Sequence, residues 1–137
     1  METAQSKRDK DYEDHVKHQI NPGNPTLRGM GYALFNISRN AFVIFDDCQH
    51  ATGKVVEAKG INYAGKLTGK AGKFMKDRFI EDIAKQAMRQ VEAAGSREIE
   101  WHFAEKEAAD AAREIFEHIR GLEKIKVVYD YWREGMQ

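Results

Sequence analysis

Asp46, Glu57 and Lys59 are the residues whose types and spacing could do chemistry together. Asp46 closes the apolar run Ala41-Phe42-Val43-Ile44-Phe45, and Glu57 and Lys59 lie two positions apart in Val55-Val56-Glu57-Ala58-Lys59-Gly60. Two carboxylates offer the hard oxygen ligands that Mg²⁺ prefers alongside water. Strand side chains alternate with period two, so Glu57 and Lys59 share a face, their Cα atoms roughly 7 Å apart. A cation, a water and a phosphate could then meet at one place, as metal-dependent phosphodiester hydrolysis requires. Lys59 would stabilise charge on the transferring phosphoryl group or orient the attacking water. Without a cation the two carboxylates repel, and at least one of their pKa values rises. Ala58 should point to the opposite face, into the core. Gly60 should end the strand and leave room for a phosphate backbone. The same three residues would also serve as ordinary charges on a half-buried hairpin, because an Asp followed by Glu-x-Lys is a common pattern.

The elements that must position them are legible in outline. Tyr12, Val16 and Ile20 recur every four residues, which predicts a short amphipathic helix over 11–19. Residues 1–10 read as a flexible polar tail and 11–137 as a single domain. Asn21-Pro22-Gly23-Asn24-Pro25 breaks the chain. Weak alternation suggests a strand over 31–37, and β-branched and aromatic residues a stronger one over 41–46. Residues 47–53 should turn the chain and 54–59 return it as an antiparallel hairpin partner. The four glycines of 60–72 predict a loop. A long helix follows over 74–94, stopped by Gly95. A strand over 98–103, a helix over 106–119 and a strand over 125–129 complete an α-β-β-β-α-β-α-β order, which is an α/β (α+β) fold.

Composition narrows the function. The chain has 137 residues, the length of one domain, with 22 Lys/Arg against 22 Asp/Glu. No apolar run reaches the length of a membrane span, so no membrane partner is expected. METAQSKRDKDYEDH is not a Sec signal peptide, so export would need another route or a larger parent chain. The single Cys48, read as a turn-region thiol, excludes a disulfide framework and a cysteine-based zinc site. Zero net charge hides a segregation: residues 54–89 carry nine bases and four acids, residues 92–137 eleven acids and seven bases. A basic excess starting at the Glu-x-Lys strand suits phosphate contact. A solvated helix face balanced elsewhere accounts for the same counts.

The run Phe45-Asp46 … Gly53-Lys54-Val55-Val56-Glu57-Ala58-Lys59-Gly60-Ile61-Asn62-Tyr63-Ala64 resembles that of the restriction-endonuclease-fold toxin 5 family, within the PD-(D/E)xK superfamily. The resemblance continues through Gln86…Gln90-Val91-Glu92-Ala93-Ala94-Gly95, Glu100-Trp101-His102-Phe103-Ala104-Glu105, Ala108-Ala109-Asp110 and Ile125-Lys126-Val127-Val128-Tyr129. It spans roughly residues 12 to 130. It implies a restriction-endonuclease-like mixed sheet with flanking helices, and a DNA-cleaving toxin domain that requires Mg²⁺ or Mn²⁺. By the same resemblance the partners would be DNA, a cognate immunity protein, and a secretion apparatus or larger effector chain of the type VI kind. The domain would be secreted without a Sec signal and act in the cytoplasm of a target bacterium. The motif carries over as Asp46, Glu57 and Lys59, with Glu13 as a carboxylate from the first helix. The family commonly has glycine after the motif aspartate; here Asp47 follows, so the two aspartates compete for the role, and Asp46 continues the strand without a break.

Further candidates surround this centre. Gln86 and Gln90, one helical turn apart, could contact phosphate or the attacking water. Lys66, Lys70, Lys73 and Lys76 could contact phosphates without base specificity. Tyr63 could touch substrate or anchor its loop, and His102 reads as a structural histidine. Two other functions fit the same residues: a nuclease of this fold acting on RNA or in DNA repair, and a non-catalytic binding module.

Overall fold

A computed structural model describes residues 3–136. A four-stranded sheet, in the order β3-β4-β5-β6, forms its centre. Strands β4 (Val55–Lys59), β5 (Ile99–Phe103) and β6 (Ile125–Tyr129) run parallel, and the two-residue β3 (Asp47–Cys48) pairs antiparallel with β4. All five residues of β5 are buried, as expected where helices cover both faces of a parallel sheet. Its alternation survives as a division between faces. Ile99, Trp101 and Phe103 join the larger core with Phe45, Val55, Ile83, Ala87 and Phe116. Glu100 and His102 face the other way.

Helices α2 (Tyr63–Thr68), α3 (Lys73–Ala94) and α4 (Lys106–Glu117) close the first face. Ala108, Ala109 and Ala112 are fully buried, small side chains that let α4 pack closely. Helix α1 (Ala4–Ile20) closes the second face, where Tyr12, Val16 and Ile20 pack with Val56, Ala104 and Trp132. Ala58 turns into this second core, as strand alternation requires. The two tryptophans thus lie on opposite sides of the sheet, Trp101 in the larger core and Trp132 in the smaller.

Several expectations change. The 1–10 segment is not a tail: α1 starts at Ala4, capped by the Thr3 hydroxyl, which accepts from Ser6 N at 3.0 Å. Gln5 bonds Asp9 and Lys7 bonds Asp11 across i,i+4 spacings. This turn buries little, so apolar periodicity carries no sign of it; residues 1–2 lie outside the described residues. The strand over 41–46 does not pair with 54–59. As β2 (Ala41–Phe45) it forms a separate hairpin with β1 (Tyr32–Asn36), in register Phe35↔Phe42. Only Asp47 and Cys48, past a bend at Asp46, reach β4. Cys48 is therefore a buried strand residue. The glycine-rich loop holds the helix α2, because the distant Glu105 carboxylate accepts from Tyr63 N and Ala64 N, both at 2.9 Å. Gly60 leaves no room for a phosphate. A Cβ there would stand 3.3 Å from Asp9 Oδ1 and 3.5 Å from Tyr12 Cβ, because α1 crosses at that point.

A buried lysine anchors α1. Lys17, 1% exposed, donates to the carbonyls of Leu27 at 2.9 Å and Met30 at 2.7 Å. Lys17→Met takes a charged donor from both carbonyls, so we expect a loss of roughly 2 kcal/mol in stability. Urea unfolding of the two proteins checks this.

Candidate active site

Glu57 is the centre of the site. It lies mid-β4 on the face toward α3 and is 6% exposed. An isolated buried carboxylate is costly, and three side chains offset that cost. Lys59 Nζ stands 3.1 Å from Oε2. Gln86 Nε2 donates to Oε2 at 2.9 Å and Gln90 Nε2 to Oε1 at 3.0 Å. The two glutamines present their amides together because residues four apart on a helix share a face. Each is fixed at its other end: Lys59 Nζ donates to Gln86 Oε1 at 2.9 Å, and the Trp101 indole donates to Gln90 Oε1 at 2.8 Å. Lys59 also lies over the Trp101 ring, 4.9 Å from its centroid, and 5.5 Å from that of Tyr63.

Asp46 completes the acidic pair. At the bend between β2 and β3 its Oδ2 accepts from Ala58 N at 2.7 Å, within the Glu57-Ala58-Lys59 backbone. Glu13, from α1, lies near enough for its charge to bear on Asp46. Asp46, Glu57, Lys59 and Glu13 are therefore brought together from three parts of the chain: the bend, β4 and α1. Asp47 is not among them. Its carboxylate accepts from Thr26 Oγ1 at 2.6 Å and from Cys48 N at 2.8 Å, in a separate buried network.

The electrostatics follow from this crowding. Burial lifts the Asp46 pKa well above the ordinary carboxylate range, and the Glu13 contact lifts it further. Burial and then the Asp46 charge push Glu57 up to about 7, against the pull of Lys59 and Gln90. Burial draws Lys59 down, but the charges of Glu57, Tyr63 and Asp46 outweigh it and leave its pKa raised. Two hard carboxylates, each raised because negative charge there is undercompensated, suit a divalent cation. Asp46 and Glu57 are the residues that could hold one. Among the described residues no three His, Cys, Asp or Glu side chains already surround a common point, so water or substrate oxygens would fill most of such an ion's shell.

The outer candidates separate. Gln86 belongs to the site through Glu57 and Lys59. Gln90, fully buried with its amide engaged by Glu57 and Trp101, is no phosphate contact. Lys66 and Lys70 are exposed beside a cleft of about 770 Å³ between α2 and α4, and Lys66 lies over the Tyr63 and Phe79 rings. Lys73 is exposed and paired with Asp77 at 2.8 Å. Tyr63 opens α2 and stacks near Phe79. The carboxylates line none of the larger clefts; one of about 220 Å³ beside β2 touches Gln86 and Gln90. Trp101 was the residue missing from the sequence reading. Its relevance depends on the register Glu57↔Trp101 between β4 and β5, which single-strand patterning does not reveal.

The model of a family described as restriction endonuclease fold toxin 5 matches residues 25–106, more than half of the chain, including Asp46, Glu57 and Lys59. No curated protein and no solved structure gives a significant match.

A raised carboxyl pKa means that the folded protein holds its proton more tightly than the unfolded chain. The stability linked to Glu57 is thus complete below about pH 4.5 and is lost as pH rises through about 7. Without divalent cations, stability should fall by roughly 3 kcal/mol across that window. Glu57→Gln should flatten most of the fall, as read from urea midpoints at pH 5 to 8.5.

Proposed function

Because the chain belongs to the restriction endonuclease fold toxin 5 family, we propose that it is a metal-dependent DNA endonuclease acting as an antibacterial toxin. The observation that carries this reading is the convergence of Asp46, Glu57 and Lys59 on one buried locus held from behind by Gln86 and Gln90. A divalent cation held by Asp46 and Glu57 would supply Lewis acidity toward the scissile phosphodiester.

The chain's own groups do the rest. Gln86 and Gln90 hold the Glu57 carboxylate in one orientation, so it need not reorganise during the reaction. Lys59 keeps its proton at neutral pH, since its pKa is raised. Its ammonium can donate to a phosphoryl oxygen or hold the attacking water while charge develops. Asp46 is fixed by Ala58 N, and its charge is felt at Glu57. Lys66 and Lys70, exposed beside the α2–α4 cleft, are suited to backbone phosphates without base readout.

As a toxin the domain would reach the cytoplasm of a target bacterium through a secretion system, and a cognate immunity protein would neutralise it. The basic surface of 54–89 favours an acidic partner. Among the described residues no helix is long and apolar enough to cross a membrane.

Purified protein with Mg²⁺ or Mn²⁺ should nick and linearise supercoiled plasmid, and leave RNA intact in parallel digestions. Glu57→Gln and Lys59→Met should lower cleavage at least a hundredfold while circular dichroism stays unchanged. Cleavage by either variant at the parent rate would remove the assignment. Asp46→Asn should abolish cleavage, whereas Asp47→Asn should lower the melting temperature and leave activity per folded molecule close to the parent's. In bacteria, expression of the parent chain should be toxic, and Glu57→Ala should relieve the toxicity.

A further inference from the structure

The sheet face under α1 carries a second polar cluster that the nuclease reading does not use. His102, on β5, brings Nε2 to 3.0 Å from Glu100 Oε1. A carboxylate only accepts, so Nε2 holds the proton and the lone pair of the neutral ring lies on Nδ1. The other oxygen of Glu100 is paired with Lys54, whose Nζ stands 2.8 Å from Oε2. The buried Nδ1 has no hydrogen-bond partner, nor does Asp130 Oδ2. They face each other at 3.9 Å, beyond hydrogen-bond range. His15, from α1, places Nε2 at 3.4 Å from both Asp130 oxygens. The amide nitrogen of the exposed Gln19 stands 3.2 Å from this Nε2 and 3.1 Å from Asp130 Oδ1. Because that nitrogen can only donate, it supplies partial positive charge to a place lined by acceptors.

We propose that His15, His102 and Asp130 form a binding site for a transition-metal dication of the zinc class, separate from the nuclease centre. Two imidazoles and one carboxylate are a donor set that zinc prefers, with a water as fourth ligand. Glu100 supplies the outer carboxylate that commonly fixes the ring orientation of a metal-ligating histidine. Zinc bonds of about 2.0–2.1 Å at a tetrahedral angle hold neighbouring ligand atoms roughly 3.4 Å apart. His15 Nε2 and Asp130 already stand at that spacing. Among the described residues these groups do not already surround a common point: His102 Nδ1, 3.9 Å from Asp130 Oδ2, would have to approach it by about half an ångström, and Gln19 would have to swing outward. A cleft of about 790 Å³ opens beside His15 and Gln19, the two members of the cluster that line it. A bound ion would cross-link α1 to β5 and to the segment after β6.

The test uses the full chain carrying Asp46→Asn and Glu57→Gln, so that ions at the nuclease centre do not contribute. After chelator treatment, Zn²⁺ is expected to bind at one ion per chain by calorimetry and to raise the melting temperature. Co²⁺ should give the intense visible absorption of a tetrahedral site. His15→Gln, at a position 17% exposed, is expected to weaken binding at least tenfold with an unchanged circular dichroism spectrum, as is Asp130→Asn. Absence of Zn²⁺ and Co²⁺ binding would overturn the proposal, as would binding that neither substitution changes. NMR showing metal-free His102 doubly protonated against Asp130 at neutral pH would overturn it too. None of these readouts depends on DNA cleavage.

Discussion

A carboxylate buried in the larger core is the constraint on which the rest of the structure depends. Removing a charge from water costs several kcal/mol unless its partners are close and well aimed, and Glu57 is almost wholly removed from solvent. Its partners must come from three elements. Lys59 lies two residues along the same strand, the two glutamines lie one turn apart on α3, and Trp101 on β5 holds the far end of Gln90. The register of β4 on β5 and the rotation of α3 about its axis both serve that single group. A slip of either would leave a charge or an amide unsatisfied inside the protein.

Much of this was legible in the residue order. β6, and β2 and α3 to within one residue, fall where patterning places them, because their apolar patterning is strong. The Glu-x-Lys pair needed only strand alternation to put both side chains on one face. What stayed hidden depends on distant parts of the chain. Nothing near Tyr63 shows that Glu105 caps α2 from across the fold. The first turns of α1 rest on a cap and on side-chain pairs that bury almost nothing. Proximity in sequence favours 54–59 as the partner of β2, but the tight connection at 37–40 folds β2 back onto β1, and the bend at Asp46 then carries only the next two residues to β4. Gln90 and Gln86 look alike in sequence, yet one is fully buried and the other faces Lys59.

The two faces of the sheet solve different problems with one set of strands. On one side β4 and β5 present Glu57, Lys59 and Trp101 to α3. On the other, residues one position away, Ala58, Glu100 and His102, meet α1. Helix α1 also sends Glu13 to the first site and His15 to the second cluster. Its attachment, through Lys17 and the segment after it, therefore bears on both.

The division of the aromatic side chains has a spectroscopic corollary. The chain holds only two indoles, one in each layer, and only Trp101 bonds to the amide that holds the acidic centre. Emission from Trp101 reports on the polarity and order of that centre, and emission from Trp132 on the seating of α1. Replacing either by phenylalanine leaves a single reporter, so the loosening of each layer can be timed without any added label.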